Sequence, residues 1–308
     1  MIHDLIIIGG GPAGSAAAVY AARKQLKTLL ITSEFGGQSV VSEDIQNWIG
    51  TPSISGAKLA EDLKKHVMAY ASTFVDIKEG EKCVSIKKTD GVFSITTDQN
   101  NIYEGKTVLI AAGSGHRKVE AVGADRLEHK GLTYCASCDG PLFSGMDVAV
   151  IGGGNAGFES AAQLLSYCKS VTLINRSEKF RADEITVKKV MSHPNMKVIM
   201  NAEILEIKGE NFVDGLVYKD SKTGETHELK VSGIFAEIGQ VPNTGFAKDI
   251  VELDEYNRIK IDPWTQKAST EGIWAAGDCS NILYHQNNIA VGDAVRALEN
   301  IYLYLHAK

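Results

Sequence analysis

The chain carries two cysteines three positions apart, Cys135 and Cys138, and an aspartate, Asp139, follows them directly. Two thiols at this spacing can close a small-ring disulfide and open it again through attack by a thiolate. A structural zinc site needs a second ligand pair at short spacing, and neither His116 nor His129 begins one, so we predict no metal site. The pattern predicts a redox-active disulfide. Asp139 is either its proton donor and acceptor or a turn and helix-capping residue.

A glycine-rich turn near the N-terminus has the spacing that binds the phosphates of a dinucleotide. Gly9, Gly11 and Gly14 form the pattern G-x-G-x-x-G, and Glu34 follows at about the distance of a ribose-binding carboxylate. The first glycine makes the tight turn, the second admits a pyrophosphate to the backbone, and the third lets helix and strand pack closely. The phosphates then lie on the N–H groups at the start of the helix.

The same device occurs a second time, at Gly152, Gly154 and Gly157, and Gly152 is 143 positions after Gly9. That offset is too long for a solenoid repeat, so we predict two nucleotide-binding units. Around the turns we predict strand, helix and strand at 5–8, 15–24 and 28–32, and again at 148–151, 158–168 and 171–175.

The end of the second strand differs between the two copies. In the second copy it is followed by a charged run that contains Arg176, Lys179 and Arg181, which suit the 2′-phosphate of NADPH. Glu178 in the same run argues against this, and a solvated charge run is the alternative interpretation.

The sequence predicts an α/β protein with two Rossmann-like dinucleotide-binding domains in three-layer ββα form, the second inserted into the first. Alternating segments behind each unit predict antiparallel strands at 82–88, 92–97 and 102–110, and at 202–207, 215–220, 226–230 and 233–238. A helical pattern covers 289–305. We place the first domain at 1–114 and 245–308 and the inserted domain, which carries the two cysteines, at 115–244.

Composition narrows the function classes. The 308 residues hold 32 Lys+Arg against 38 Asp+Glu, a net charge of -6, which argues against nucleic-acid binding as the main task. Five cysteines do not make a secreted disulfide framework. The uncharged run 5–22 approaches the length of a membrane span, but its glycines and proline and the preceding Asp4 argue against a signal peptide or anchor. We therefore expect a cytoplasmic protein without a membrane segment.

The segment Cys-Ala-Ser-Cys-Asp-Gly at 135–140, with Gly-Leu-Thr-Tyr before it and Val-Ala-Val-Ile-Gly-Gly-Gly-Asn-Ala-Gly after it, resembles the low-molecular-weight thioredoxin reductases. The resemblance covers the whole chain and includes the segments 36–38, 46–48, 239–244 and 275–278. The segments 138–143 and 277–279 are also similar to the flavoprotein component of alkyl hydroperoxide reductase, whose extra N-terminal thioredoxin-like module we do not expect here.

The resemblance implies FAD in the first domain and NAD(P)H, with NADPH favoured and NADH as the alternative, in the inserted one. Hydride would pass from nicotinamide to flavin and electrons from there to the disulfide. It further implies that Cys138 lies on the flavin side, that Cys135 attacks the partner's disulfide and that Asp139 handles the proton. The implied partner is a thioredoxin-like or glutaredoxin-like protein, the implied assembly a homodimer, and one domain is expected to swing against the other.

Together the turns and the resemblance predict two sets of cofactor-binding residues. The flavin set is Gly9, Gly11, Pro12, Ala13, Gly14, Glu34, Gly37, Gln38, Asn47, Ala112, Gly113, Gly277, Asp278, Gln286 and Asn287. The pyridine-nucleotide set is Gly152, Gly154, Asn155, Ala156, Gly157, Glu159, Arg176, Arg181 and Gly239.

The chain departs from the family pattern near both cofactors. Asn175-Arg176-Ser177 stands where the family usually has His-Arg-Arg, which weakens the NADPH assignment, and 111–113 and 285–287 differ near the expected flavin. Two other functions therefore stay open. One is a dithiol oxidase or diaphorase, and the other is a flavin-binding redox sensor without enzymatic turnover.

Overall fold

A computed structural model describes residues 1–42, 44–71 and 73–307. The chain forms two compact units, one made of Met1–Gly115 with the stretch from Val241 onward, the other of His116–Gln240. The sequence placed these limits at 114/115 and 244/245. Residues 241–244 belong with the first unit because Asn243 donates two hydrogen bonds there, from its N–H to Gly113 O and from Nδ2 to Ala112 O, each 3.0 Å. Glu43, Ser72 and Lys308, all within the predicted FAD domain, lie outside the described residues.

The N-terminal stretch contains most strands of the first unit. In chain order the elements are β1 Ile2–Gly10, α1 Pro12–Arg23, β2 Thr28–Phe35, a 3-10 helix Gly37–Val41, α2 Gly56–Met68, β3 Val75–Glu79, β4 Cys83–Thr89, β5 Val92–Thr97, β6 Ile102–Ile110 and β7 Ser114–His116.

The second unit and the return to the first follow. The elements are α3 Ala124–Leu127, β8 Leu132–Thr133, α4 Ala136–Asp139, a 3-10 helix Gly140–Phe143, β9 Asp147–Ile151, α5 Asn155–Leu164, β10 Ser170–Ile174, α6 Glu184–Met191, β11 Met196–Ile199, β12 Ala202–Lys208, β13 Gly215–Asp220, β14 Thr226–Leu229, β15 Gly233–Ala236, β16 Gln240–Pro242, a 3-10 helix Gly245–Ala247, β17 Ile273–Ala275 and α7 Asn287–His306.

The first unit is built on a mixed sheet with the strand order β3-β2-β1-β6-β5-β4, and β17 pairs with β6. Strands β1, β2, β3, β6 and β17 are parallel, and the meander of β4, β5 and β6 is antiparallel. Alternate residues of β1 enter two separate cores, Leu5 and Ile7 on the side of α1 and α7, Ile6 and Ile8 on the side of the meander. An unbroken apolar run is what a strand covered on both faces requires.

The second unit repeats this plan with a parallel sheet in the order β11-β10-β9-β15-β8 and a separate antiparallel sheet β12-β13-β14. The prediction that 233–238 forms a fourth meander strand is wrong. Gly233–Ala236 is wholly buried, and it pairs in parallel with β9 and β8. A short apolar segment with both faces covered belongs in a central parallel strand, which its place after a hairpin concealed. The predicted fold class, two Rossmann-like units with one inserted in the other, is confirmed.

Both predicted helices behind the glycine turns begin earlier than their apolar patterns. Helix α1 begins at Pro12 and helix α5 at Asn155, each directly after the second glycine of its turn. Proline is favoured at the first helical position because the N–H that it lacks would have no intrahelical acceptor there. Strand β2 also runs beyond its predicted end to Phe35, so Glu34 lies within the strand rather than past it.

No helix in the described part of the chain is long and apolar enough to cross a membrane.

Candidate cofactor and redox sites

The two cysteines form a disulfide at the start of α4. Cys135 is the N-cap of the helix and Cys138 lies in its only turn, with their Cα atoms 5.3 Å apart. The Sγ of Cys135 accepts a hydrogen bond from the N–H of Cys138 at 3.2 Å. Cys138 is exposed and Cys135 is half-buried. A sulfur that accepts a backbone N–H is favoured as a thiolate once the disulfide opens, so the geometry suits thiol–disulfide exchange.

Helix α4 is attached to α5 by one glutamine. The Ser137 hydroxyl donates to Gln163 Oε1 at 3.0 Å, and Gln163 Nε2 donates to the carbonyl of Ala136 at 3.3 Å. These bonds fix the turn that holds the disulfide against a longer helix of the same unit. The sequence analysis did not predict this role for Gln163.

Asp139 lies beside the disulfide with its carboxyl group bonded to a threonine. The Thr133 hydroxyl, at the end of β8, donates to Asp139 Oδ2. Burial raises the pKa of Asp139, while the bond from Thr133 and the charge of His129 oppose that rise. A carboxyl group with a raised pKa holds its proton closer to neutral pH, as a proton donor to a thiolate needs. The proton role of Asp139 stays a prediction, and the structure adds Thr133 as the residue that orients it.

The first glycine turn has the shape of a phosphate cradle. Gly9 has φ 113°, and a Cβ added there would lie 2.2 Å from the carbonyl oxygen of Ala111. A Cβ on Gly14 would lie 1.8 Å from the carbonyl oxygen of Gly9, so only glycine allows α1 to pack this closely on β1. Beside Gly11 the nearest atom to an added Cβ is the Cα of Gly37, at 3.9 Å. The backbone is therefore accessible where a pyrophosphate must approach.

The remaining predicted flavin residues lie at the same edge of the first unit, because they follow parallel strands or begin helices there. Ala112 and Gly113 follow β6, Gly277 and Asp278 follow β17, Glu34 is near the end of β2, and Pro12 and Ala13 begin α1. Gly37 and Gln38 open the 3-10 helix, Asn47 comes after it, Gln286 is the N-cap of α7, and Asn287 is the first residue of α7.

Two amide contacts fix the start of α7 against the segment that follows β2. Asn47 Nδ2 donates to Gln286 Oε1 at 3.0 Å, and the Ser39 hydroxyl donates to Asn287 Oδ1 at 2.9 Å. The structure thus brings together Asn47 and Gln286, both predicted from the sequence and 239 positions apart, and it adds Ser39 as a contact of the predicted Asn287 across 248 positions.

Two buried polar atoms near Asp278 test whether this edge fits FAD. His285 Nδ1 and Asp293 Oδ2 have no hydrogen-bond partner among the described residues, and His285 Nδ1 lies 3.8 Å from Asp278 Oδ1. Burial raises the pKa of Asp293; the neighbouring Arg296 and His285 oppose that rise, and the charge of Asp278 adds to it. Buried polar atoms without partners are rare unless a ligand or water completes them. A cofactor rich in hydroxyl and phosphate groups supplies such partners, so the residues present fit FAD.

The second glycine turn reproduces the first. Gly152 has φ 130°, and an added Cβ would lie 2.2 Å from the carbonyl oxygen of Glu237. On Gly157 an added Cβ would lie 2.0 Å from the carbonyl oxygen of Gly152, whereas at Gly154 nothing lies within 4 Å. This turn fits a second pyrophosphate.

Asn175 organises the loop that follows β10. Its side chain is 6% exposed, and its Nδ2 donates to the carbonyls of Ser177 at 2.9 Å and Lys179 at 3.1 Å. The N–H of Arg181 donates to Gly153 O at 2.8 Å, which ties the far end of the loop to the glycine turn. Arg176 is exposed like Arg181, and within the described residues neither guanidinium forms an ion pair.

The acid in this loop, Glu178, forms an ion pair with a lysine. Glu178 lies 2.5 Å from Lys222 Nζ, and that hydrogen bond lowers the pKa of Glu178. The counter-argument that Glu178 raised against a phosphate site therefore weakens. Of the other predicted residues, Asn155 and Ala156 begin α5, Glu159 is exposed on α5, and Gly239, with φ 113°, follows β15.

One polar pair in the second unit escaped the sequence analysis. The Ser160 hydroxyl on α5 donates to Oε1 of Glu237, directly after β15, at 2.6 Å. Burial raises the pKa of Glu237 to about 7, the bond from Ser160 lowers it, and the charge of Glu159 raises it further. The signal in the sequence was weak, because Glu237 is a single acid at the end of a short apolar run. Over the described residues, no group of three or more His, Cys, Asp and Glu side chains is placed to hold a metal ion.

Three known proteins are similar to the chain along nearly all its length. It is 38% identical over 304 residues to the F subunit of alkyl hydroperoxide reductase from Escherichia coli, with 98% of this chain and 58% of that protein covered. It is 37% identical over 302 residues to an NADH dehydrogenase of Bacillus subtilis, again with 98% of this chain and 58% of that protein covered. The chain therefore spans little more than half the length of these curated relatives.

The third is a solved structure. A thioredoxin reductase from Streptococcus pyogenes superposes with a TM-score of 0.92 at 32% identity, covering 100% of this chain and 99% of that one. The resemblance to thioredoxin reductases that the sequence indicated is thus confirmed in three dimensions. Residues 3–296 match the family described as pyridine nucleotide-disulphide oxidoreductase. With two dinucleotide cradles and a C-x-x-C disulfide in the matched region, the chain belongs to the pyridine nucleotide-disulphide oxidoreductases.

Proposed function

We propose that this protein is an FAD-dependent NAD(P)H:disulfide oxidoreductase that reduces the disulfide of a thioredoxin-like or glutaredoxin-like protein. The observation that carries the proposal is the Cys135–Cys138 disulfide in the unit that also holds the second glycine turn. Redox cysteines beside a nucleotide cradle require a carrier of electrons from the nucleotide to sulfur. FAD, when bound, supplies that chemistry, since a flavin exchanges electrons with both nicotinamide and thiols.

The first unit is the proposed FAD site. The turn at Gly9, Gly11 and Gly14 would take the pyrophosphate, and the carboxylate of Glu34 would accept from the ribose hydroxyls. Asp278 and His285 would meet the hydroxyl-rich part of the cofactor, where the buried His285 Nδ1 needs a partner.

The second unit is the proposed site of the pyridine nucleotide, with NADPH favoured over NADH. The turn at Gly152, Gly154 and Gly157 would take its pyrophosphate. Support for the 2′-phosphate comes from Arg176 and Arg181, whose exposed guanidinium groups are free of carboxylate partners in the described part of the chain.

The cysteines would carry electrons out of the protein. We assign Cys135 to attack on the partner's disulfide, Cys138 to the flavin side, and Asp139, oriented by Thr133, to the proton. Opening the Cys135–Cys138 bond with two electrons and two protons gives a dithiol. Attack of one thiolate on the partner's disulfide then forms a mixed disulfide, which the second thiol resolves. We further propose a homodimer that acts in the cytoplasm, where a dithiol of this kind is kept turning over.

The test is reduction of a thioredoxin disulfide by the FAD-loaded protein with NADPH. We expect turnover by the wild type, none by Cys138→Ser, and wild-type turnover by Cys83→Ser, the same change at a half-buried cysteine in the first unit. The proposal is wrong if the wild type reduces neither a thioredoxin nor a small aromatic disulfide while Cys138→Ser retains the same NADPH oxidation as the wild type.

A second candidate is an NADH-oxidising diaphorase. The similarity to a Bacillus subtilis protein named NADH dehydrogenase favours it, as does the replacement of the family's His-Arg-Arg by Asn175-Arg176-Ser177. Initial rates of flavin bleaching with NADPH and with NADH at equal concentration separate the two. A large excess for NADH, together with oxidation that does not require the cysteines, would favour this alternative.

A further inference from the structure

Glu237 is a partly buried acid packed against the second glycine turn. It follows β15 directly, its carbonyl oxygen lies where a Cβ on Gly152 would be only 2.2 Å away, and its carboxyl group accepts from Ser160 at 2.6 Å. Placing a carboxyl group at this depth is costly unless it is bonded or functional. One hydroxyl donor leaves part of its hydrogen-bonding capacity for a ligand.

The order of the strands indicates which part of a dinucleotide this residue would meet. With the pyrophosphate at the start of α5, the adenosine ribose lies toward the end of β10, the second strand of the motif. The other half of the nucleotide then lies on the opposite side of β9, and the neighbour of β9 on that side is β15. Glu237 is therefore at the strand end that receives the nicotinamide half.

The first unit shows that the fold does not require this polar pair. Ala111 follows β6 as Glu237 follows β15, and their N–H groups donate to equivalent carbonyls, Ile8 and Ile151, both at 2.8 Å. Ala17 on α1 stands 143 positions before Ser160, at the equivalent place. Two small apolar residues thus complete the flavin unit where the nucleotide unit has a hydrogen-bonded acid.

We propose that Glu237, held by Ser160, lines the nicotinamide pocket and that its charge sets the relative affinity for the oxidised and reduced nucleotide. This inference rests on the proposed function. The oxidised nicotinamide ring is a cation and the reduced ring is neutral, so a carboxylate beside it favours the oxidised form and a neutral carboxylic acid does not.

Protonation of Glu237 changes in the range where the enzyme works. Burial and the charge of Glu159 on α5 raise its pKa to about 7 against the effect of Ser160. From the other neighbours, β9 contributes the apolar side chains 148–151, and the end of β8 leads to the redox segment 135–139. As pH rises through the pKa of Glu237, the carboxylate forms and binding of the cationic ring is strengthened.

The experiment measures two dissociation constants on the FAD-loaded full chain by calorimetry. The ligands are NADP⁺ and its 1,4,5,6-tetrahydro analogue, which has a neutral ring and transfers no hydride. Their ratio cancels effects of the phosphates, which both ligands share. Between about pH 6 and about pH 8, we expect the preference of the wild type for NADP⁺ to increase roughly fivefold to tenfold.

Two variants and a control decide the origin of the change. In Glu237→Gln the ratio should not vary with pH, and in Ser160→Ala the change should move to higher pH because the bond that lowers the pKa is removed. Glu203→Gln, the same change at an exposed position of β12, should behave as the wild type. A pH-independent ratio in the wild type, or an unaltered pH dependence in Glu237→Gln, overturns the inference. The proposed function still holds in that case if NADPH bleaches the flavin. Failure of both ligands to bind overturns both.

Discussion

The two glycine turns are nearly the same structure with different surroundings. In each turn, a Cβ added to the first glycine would lie 2.2 Å from a backbone carbonyl oxygen that follows a neighbouring strand. Beside the second glycine of each turn, no atom would lie closer than 3.9 Å to an added Cβ. Among the equivalent pairs of positions that differ are Thr32 and Asn175, Glu34 and Ser177, Ala17 and Ser160, and Ala111 and Glu237.

The comparison separates what the fold needs from what each ligand needs. Both turns keep the glycines, because the close packing of strand and helix requires them. In the first unit, Glu34 stands within β2 and the Thr32 hydroxyl donates to its carbonyl at 2.6 Å. In the second, β10 ends at Ile174 and Asn175 holds a loop that presents two arginines. We infer that the shared part binds pyrophosphate and that the strand ends choose the nucleotide.

The largest expected effect comes from removing one of the two redox cysteines, which lie in the second unit. Cys138→Ser should lower the rate of disulfide reduction by about a thousandfold or more, because Cys135 alone forms a mixed disulfide with the partner that no second thiol resolves. Flavin bleaching by NADPH, followed by stopped-flow absorbance, should stay near the wild-type rate. Equal loss of both activities would show that Cys138 is needed for flavin reduction by NADPH as well as for disulfide reduction, which would contradict the proposed roles of the two units.

The next largest effect comes from placing an alanine at the third glycine of each turn, one turn at a time. An added Cβ at Gly14 or at Gly157 would lie 1.8 Å or 2.0 Å from a carbonyl oxygen, so each Gly→Ala variant must displace its own helix. Gly157→Ala should keep FAD and lose affinity for NADPH by about a hundredfold, whereas Gly14→Ala should lose FAD. Flavin content and nucleotide titration measure both. Loss of FAD from Gly157→Ala at native circular dichroism would contradict the assignment of one cofactor to each unit.

A third prediction concerns Glu237, which has Ala111 as its counterpart. Its pKa is raised from 4.5 to about 7, so the folded protein binds more protons than the unfolded chain between these values. The contribution of Glu237 to stability is therefore greatest at low pH and falls as pH rises through that window. The free energy of unfolding of Glu237→Gln, relative to that of the wild type, should therefore rise by about 3 kcal/mol between about pH 4.5 and about pH 8.

Urea unfolding of both proteins across that range measures the change, and Glu203→Gln serves as the control for removal of one carboxylate. A constant difference between wild type and Glu237→Gln over the whole range would mean that Glu237 is ionised with an ordinary pKa.

The smallest effect tests the choice of nucleotide. Ser177→Glu places a carboxylate at the position equivalent to Glu34, where it can accept from a ribose hydroxyl and repel a 2′-phosphate. The ratio of kcat/KM for NADPH to that for NADH should fall about tenfold. Ser166→Glu, the same change at an exposed residue beyond α5, should leave the ratio unchanged. An unaltered ratio in Ser177→Glu would show that this strand end does not contact the ribose.

Much of this organisation can be predicted from local sequence, because glycine spacing and apolar runs report short-range requirements. The two turns, their flanking strands and the C-x-x-C disulfide are of this kind. The sequence did not reveal that Gly233–Ala236 joins the parallel sheet, because a short apolar run does not indicate its partner. It also missed Ser160 and Glu237, whose contact spans 77 positions and follows from tertiary packing alone.

Anaerobic titration of the FAD-loaded protein with NADPH tests the central claim most directly. If electrons from NADPH pass through the flavin to the Cys135–Cys138 disulfide, the wild type will consume one NADPH per chain beyond the amount that bleaches the flavin, and it will gain two thiols that a thiol reagent detects. Cys138→Ser will show neither. Equal consumption by both proteins, or a flavin that NADPH does not bleach, would contradict the account.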